Sequence, residues 1–67
     1  MDEWVFELLL KITDEIYDKT GEILDFFRID YNCDTKVYEV TIITQKRVVV
    51  YKIKGVNVDK VYEGENV

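Results

Sequence analysis

Three groups of side chains in this sequence have types or spacings that chemistry could use. Asp30, Asn32 and Asp34 have the spacing of the first three ligands of an EF-hand calcium loop. The pattern then fails, because Thr35 stands where the loop needs glycine and Thr41 stands where a bidentate glutamate should close the site. We interpret the segment as a hairpin turn, in which Asn and Asp are favoured for their tolerance of turn conformations.

A second group, of acidic residues, lies near the end of the first predicted element. Asp14, Asp18 and Glu22, with Glu15 beside them, have the chemistry to bind a divalent metal or to act as acid–base groups. Four-residue spacing places Asp14 and Asp18 on one helix face, where like charges repel mildly. Because no second residue type completes a site, we interpret the group as a solvated polar face and expect no metal site.

Cys33 is the third candidate, as a nucleophile. The sequence has no histidine to activate it and no second cysteine to form a disulfide or a zinc site with it. Alternation predicts that Cys33 is a small buried hydrophobe at a strand end. Acid–base catalysis without histidine would need paired carboxylates in a cleft, for which so small a fold has little room. We therefore expect no enzyme, no catalytic residue, no cofactor and no small-molecule substrate.

The length of 67 residues predicts one small domain spanning residues 1–67. A chain of this length buries only about 60% of the surface that its unfolded form exposes, so it is marginally stable alone. Small domains gain support from disulfides, metals or oligomerisation. Since one cysteine and no histidine exclude an internal disulfide and a His- or Cys-rich zinc site, association with a partner is the expected support.

The composition is that of a folded acidic protein, with 48% hydrophobic residues, 34% charged residues and a net charge of −5. A lone cysteine and no signal peptide predict a reducing, intracellular setting, and hence a cytoplasmic protein. The longest apolar runs, residues 8–10 and 48–51, are too short to span a membrane. Richness in Lys and Glu, without any Ala, Ser, Pro or His, is compatible with a thermophilic or viral source.

Residues 3–20 are predicted to form one helix, because no Gly or Pro interrupts them. Asp2 is the predicted N-cap, and Lys19 followed by Gly21 marks the end of the helix. Spacings of three and four place one apolar stripe toward the core: Val5, Leu8, Leu9, Ile12 and Ile16. A second stripe lies beside it, and we call its large apolar members the helix flank: Phe6, Leu10 and Tyr17.

After Gly21 the apolar period changes to two, which predicts strands. Alternating runs at 27–33, 38–42 and 49–53 are separated by predicted turns at 32–36 and 44–47. Residues 56–63 fit either a short fourth strand or one helical turn. Short turns require antiparallel neighbours. The predicted fold class is therefore α+β, with an N-terminal helix packed on one face of a three-stranded antiparallel meander.

The face of the sheet turned away from the helix, the outer face, is unusually apolar in this prediction. Contiguous apolar surface of this kind marks interaction sites. The candidate partner-binding residues on the outer face are Phe26, Val37, Ile43, Val48 and Val50. The helix flank adds Phe6, Leu10 and Tyr17, unless residues 56–63 cover it and make it part of the core. Nothing in the chain is expected to cover the outer face.

These features predict a small acidic protein-interaction module without catalytic activity, homodimeric through the outer sheet face or the helix flank. A virus- or phage-type accessory or inhibitor protein that binds another protein is one form of this prediction, because acidic helices can imitate nucleic-acid phosphates. The alternative is a weak nucleic-acid-associated protein that uses Arg28, Lys52 and Lys54, with Phe26 as a stacking platform. This alternative is less favoured, since the net charge of −5 repels phosphates.

Overall fold

The computed structural model describes residues 3–66 as one helix followed by four strands. The elements are α1 (Glu3–Thr20), β1 (Leu24–Asn32), β2 (Val37–Thr44), β3 (Arg47–Lys54) and β4 (Asn57–Glu65). Neighbouring strands pair antiparallel in the order β1-β2-β3-β4. The predicted α+β class and the predicted helix over residues 3–20 are therefore confirmed. The predicted meander of three strands, with residues 56–63 as a short fourth strand or a helical turn, is a meander of four full strands. The predicted N-cap, Asp2, lies outside the described residues.

The core lies between one stripe of α1 and the two central strands. Its fully or nearly fully buried apolar members are Val5, Leu9 and Ile12 of the helix, Val40 and Ile42 of β2, and Val49 and Ile53 of β3. Within each strand the buried residues are separated by an even number of positions, so they share the face that the helix covers. The intervening residues of β2 and β3 lie on the outer face.

The helix ends where glycine permits a left-handed backbone. Gly21 has a φ of 74°, and its N–H donates to the carbonyl oxygen of Tyr17 at 2.8 Å. This is the αL type of helix C-terminus, which glycine adopts without the steric cost of a Cβ atom. The turn allows the chain to reverse and enter β1 after only three residues.

The connection between β3 and β4 is a two-residue turn, Gly55–Val56. Gly55 has a φ of 59°, and Val56 is not among the residues with positive φ. Glycine at the first central position is typical of a type II′ turn, whose twist matches that of the flanking strands.

We expect Gly55→Ala to lower the free energy of unfolding by about 1–2 kcal/mol, because an L-residue pays that cost in the left-handed region. No heavy atom outside its immediate neighbours lies within 4 Å of a Cβ atom built at Gly55, so the cost should come from the backbone and not from a clash. Urea denaturation of the two proteins measures the difference. An unchanged midpoint would contradict the assigned turn conformation.

Strand β4 contains a bulge, which explains why its sequence fits a short strand and a helical turn equally well. Tyr51 pairs with Lys60 and Val50 pairs with Tyr62, so Val61 is an extra residue on β4. The bulge changes which residues face the helix on either side of it. As a result, Val58 and Tyr62 lie on opposite faces of the sheet although an even number of residues separates them.

Cys33 lies in the β1–β2 turn and is exposed, so its predicted burial at a strand end is wrong. The turn begins earlier than the alternation suggests because the side chain of Asn32 stabilises it. Asn32 Oδ1 accepts hydrogen bonds from the backbone N–H groups of Asp34 at 2.9 Å and Thr35 at 3.2 Å. This local bonding is the turn-forming role that Asn commonly plays.

Candidate functional site

The outer face of the sheet has an apolar end. Phe26 of β1 pairs in register with Ile43 of β2, which pairs with Val48 of β3. Because residues directly opposite each other in a sheet share a face, these three side chains form one row. Phe26 is 58% exposed, whereas Ile43 and Val48 are partly buried. The structure therefore brings together three of the predicted partner-binding residues.

Val50 and Tyr62 lie in the adjacent row of the same face, next to Thr41. We call the five residues Phe26, Ile43, Val48, Val50 and Tyr62 the outer patch. Tyr62 pairs with Val50. Its ring folds over Gly64: a Cβ atom built at Gly64 would lie 2.8 Å from the Tyr62 ring carbon Cζ. An aromatic ring of this kind shields backbone that glycine leaves open. Sequence reasoning missed Tyr62, because the bulge hides its place on this face.

The opposite end of the outer face is charged. One row of directly paired residues crosses all four strands there, and it consists of Asp30, Glu39, Lys52 and Asp59. Val37, which was predicted to join the partner-binding surface, lies at this end, beyond Glu39 and Thr41 along β2. It is therefore separated from the outer patch.

The three basic residues proposed for nucleic-acid binding have acidic or neutral neighbours. Arg28 Nε lies 2.9 Å from a carboxylate oxygen of Asp30. Lys52 stands between Glu39 and Asp59 in register, and Lys54 stands opposite Asn57. A phosphate-binding surface needs clustered positive charge that is available to counter the phosphates. The outer face offers Arg28, Lys52 and Lys54 together with three carboxylates, those of Asp30, Glu39 and Asp59.

The helix flank faces β1 and not β4. The rings of Phe6 and Phe27 meet edge to face with centroids 5.9 Å apart, and Phe27 belongs to β1. On the other side of the helix, Leu8 lines a shallow depression with Val56 and Val58. The suggestion that residues 56–63 cover the helix flank is therefore wrong. Leu10 and Tyr17 are left exposed.

Exposed apolar side chains lie near both edges of the sheet, and the larger group lies around β1. The group at β4 and the turn before it is Val56, Val58, Val61 and Tyr62. Ile23, just before the strand, is 72% exposed, and Tyr17 of the helix flank is 55% exposed. Phe26 on the outer face and Phe27 and Tyr31 on the inner face are also exposed. Within residues 3–66, β1 is an edge strand that pairs only with β2. An open edge is thus bordered by apolar surface on both of its faces.

A polar network closes the end of the helix–sheet interface. Arg47 donates to Glu22 from Nε at 2.8 Å, and its Nη2 atom lies 2.7 Å from the same carboxylate. Thr44 also donates to Glu22 at 2.7 Å, and Arg47 Nη1 reaches Glu63 at 2.7 Å. Lys60 completes the chain by donating to Glu63 at 2.9 Å. The network links the segment after α1 to β2, β3 and β4.

The spacing of Glu22 from Asp14 and Asp18 predicts that it belongs to a solvated acidic face. This prediction is wrong. The Glu22 side chain is only 9% exposed. Hydrogen bonds from Arg47 and Thr44 lower the pKa of Glu22 from 4.5 to about 2. Because the network satisfies Glu22 and Glu63 from within the chain, we assign it a structural role.

We expect the network to make stability depend on pH in the acid range. The pKa of Glu22 is lower in the folded chain than in the unfolded chain, so its contribution is present above about pH 4.5 and is lost as pH falls toward about 2. Melting temperatures measured across this range should fall less steeply for Glu22→Gln than for the parent. Asp18→Asn, at an exposed position, is the matched control. Equal slopes for the parent and Glu22→Gln would contradict the assigned pairing.

Two features are absent from the part of the chain that the structure describes: a cluster of metal-binding side chains and a helix that could span a membrane. Residues 3–66 contain no cluster of three or more Cys, Asp or Glu side chains arranged to hold a metal ion. In the EF-hand-like segment, the Asn32 carboxamide is used to form the turn. The single helix in this range lacks the length and apolarity needed to cross a bilayer.

Comparison of the chain with protein-family models, with curated proteins and with solved structures found no match.

Proposed function

We propose that this protein is a small non-catalytic protein-interaction module that acts as a homodimer. The observation that carries the proposal is the exposed apolar surface of the sheet, of which the larger part lies around the β1 edge. Phe26 is exposed on the outer face, and Tyr17 and Leu10 are exposed on the helix side. Burial of such surface is the main driving force for association between proteins.

The small size of the chain supports the same proposal. Within residues 3–66 the buried core comprises seven apolar residues, and several of the largest side chains remain outside it. A domain with so small a core gains stability when a second copy covers its remaining apolar surface. Dimerisation would therefore serve both stability and function.

The candidate reactive groups favour a binding role over a catalytic one. Glu22 and Glu63 are held in ion pairs with Arg47, and Cys33 lies exposed on a turn. A catalytic carboxylate or thiolate needs a partner that tunes its pKa and a cleft that holds the substrate. The ion pairs of Glu22 and Glu63 join the segment after α1 to β3 and β4, and so serve the fold.

Sedimentation equilibrium over a range of concentrations tests self-association. The chain has a mass of 8.0 kDa. We expect the apparent mass to rise toward twice this value as concentration increases into the high micromolar range. A mass that stays at the monomer value throughout would contradict the proposal and would require a different partner for the exposed surface.

We expect no appreciable binding of nucleic acid. Carboxylates accompany Arg28 and Lys52 on the outer face, and the whole chain carries a charge of −5. Fluorescence anisotropy of labelled single-stranded and duplex DNA at low salt measures this directly. Salt-sensitive binding with a Kd below about 100 μM, the range of non-specific binders, would restore the nucleic-acid alternative.

A further inference from the structure

We infer that two copies of this chain join through the β1 edge, in an antiparallel pairing of residues 26–32 about a two-fold axis at Ile29. This inference rests on the self-association proposed above and specifies the surface and register that carry it. It follows from the openness of the edge, the symmetry of its sequence and the contrast with the other edge of the sheet.

The β1 edge offers a regular template for another strand. The single irregularity in its pairing with β2 lies between Leu24 and Phe26, and from Phe26 to Asn32 the register is continuous. An edge strand presents unpaired backbone N–H and C=O groups that a second chain can satisfy. Residue Ile29 is the midpoint of this regular segment.

The segment is complementary to itself in charge. When Ile29 pairs with Ile29 of a second copy, Arg28 of each chain stands opposite Asp30 of the other. Two cross-strand ion pairs therefore form on the outer face, and oppositely charged residues in such positions are favourable. Both side chains are exposed in the monomer, so neither has to be drawn out of the core. Each exchanges its partner within the strand, at 2.9 Å, for the matching residue of the other copy.

The two neighbouring registers are less favourable than the one with the axis at Ile29. Moving the two-fold axis to Arg28 places two arginines opposite each other, and moving it to Asp30 places two aspartates opposite each other. Like charges directly opposite are destabilising. With the axis at Ile29, Phe27 instead stands opposite Tyr31 on the helix side, which pairs two exposed aromatic residues.

The β4 edge is less suited to the same role. The bulge at Val61 interrupts it near its middle, and bulges blunt edges against further pairing. Residues 57–65 also contain three acids and one base, whereas residues 26–32 contain one of each. Two copies of β4 would therefore repel each other.

A charge exchange between two variants tests the pairing. Arg28→Asp alone and Asp30→Arg alone should each self-associate roughly tenfold more weakly than the parent, because each replaces two attractive pairs by two repulsive ones. An equimolar mixture of the two should form a heterodimer, and the double variant R28D/D30R should dimerise as the parent does. Lys54→Asp on β3 and Asp59→Arg on β4 change the net charge equally and should have little effect.

The outcomes separate this inference from the proposal on which it rests. If the parent dimerises and the charge variants dimerise equally well, the β1 pairing is wrong and self-association stands. If the parent remains a monomer, self-association itself is wrong. Circular dichroism checks that each variant is folded. Should a reversal unfold the chain, Arg28→Gln and Asp30→Asn should each weaken dimerisation several-fold, and unchanged dimerisation would overturn the pairing.

Discussion

Leu9→Ala should lower the free energy of unfolding by about 2–5 kcal/mol, the range measured for truncation of a buried leucine. Leu9 is 1% exposed and packs in the core between the helix and the central strands. Truncation removes apolar contact and leaves a cavity that a small core cannot easily close. Since the whole domain is small, this loss is a large part of its stability.

Leu10→Ala is the matched control for this prediction. Leu10 has the same chemistry and the next position along the helix, but it is 45% exposed. Its truncation should change the unfolding free energy of the monomer by well under about 1 kcal/mol. Chemical denaturation at low protein concentration measures both. Equal losses for the two variants would contradict the orientation of the helix on the sheet.

Ile42→Lys should unfold the protein, whereas Ile43→Lys should leave it folded. Ile42 is fully buried on the face covered by the helix, and Ile43 lies next to it on the outer face. An unpaired ammonium group at position 42 would carry a desolvation penalty of several kcal/mol. At position 43 the long side chain can reach water. Circular dichroism and thermal melts distinguish the two cases.

The Ile43→Lys protein also separates two routes to dimerisation. Ile43 belongs to the outer patch, whereas the inferred contact runs along the β1 edge. We therefore expect this variant to dimerise nearly as strongly as the parent. Loss of the dimer in a folded Ile43→Lys protein would move the interface from the edge to the outer face.

The helix and the first three strands could be predicted from the sequence because their signals are local. Gly21 ends the helix, and the apolar period changes from helical to alternating directly after it. The buried faces of β2 and β3 follow the alternation, with Val40 and Ile42 inside and Ile43 outside. In these elements, backbone geometry alone relates the position of a residue to its face.

The features that could not be predicted depend on irregular geometry or on distant partners. The extra residue at Val61 interrupts the alternation of β4, so the strand pattern is not regular there. The hydrogen bonds of the Asn32 side chain form the turn that contains Cys33, which the alternation alone places in the strand. Glu22 was assigned to solvent because its partner, Arg47, lies 25 residues away along the chain. No local pattern relates two such positions.

The candidate site was only partly predictable for a similar reason. Surplus apolar residues predict an interaction surface, and the structure places Phe26, Ile43, Val48 and Val50 near one another on the outer face. The importance of β1 depends on its place at the sheet edge, which requires the strand order. The charge symmetry of Arg28 and Asp30 about Ile29 is visible in the sequence, but it acquires meaning only at an edge strand.

Amide hydrogen exchange along the sheet, measured at low and at high protein concentration, tests the central claim most directly. If two copies pair through β1, the amides of residues 26–32 that do not pair with β2 should become protected as concentration rises. The amides of β4 should exchange at rates independent of concentration. Protection that rises in β4 instead, or β1 exchange that stays unchanged while the mass doubles, would contradict the edge-strand dimer.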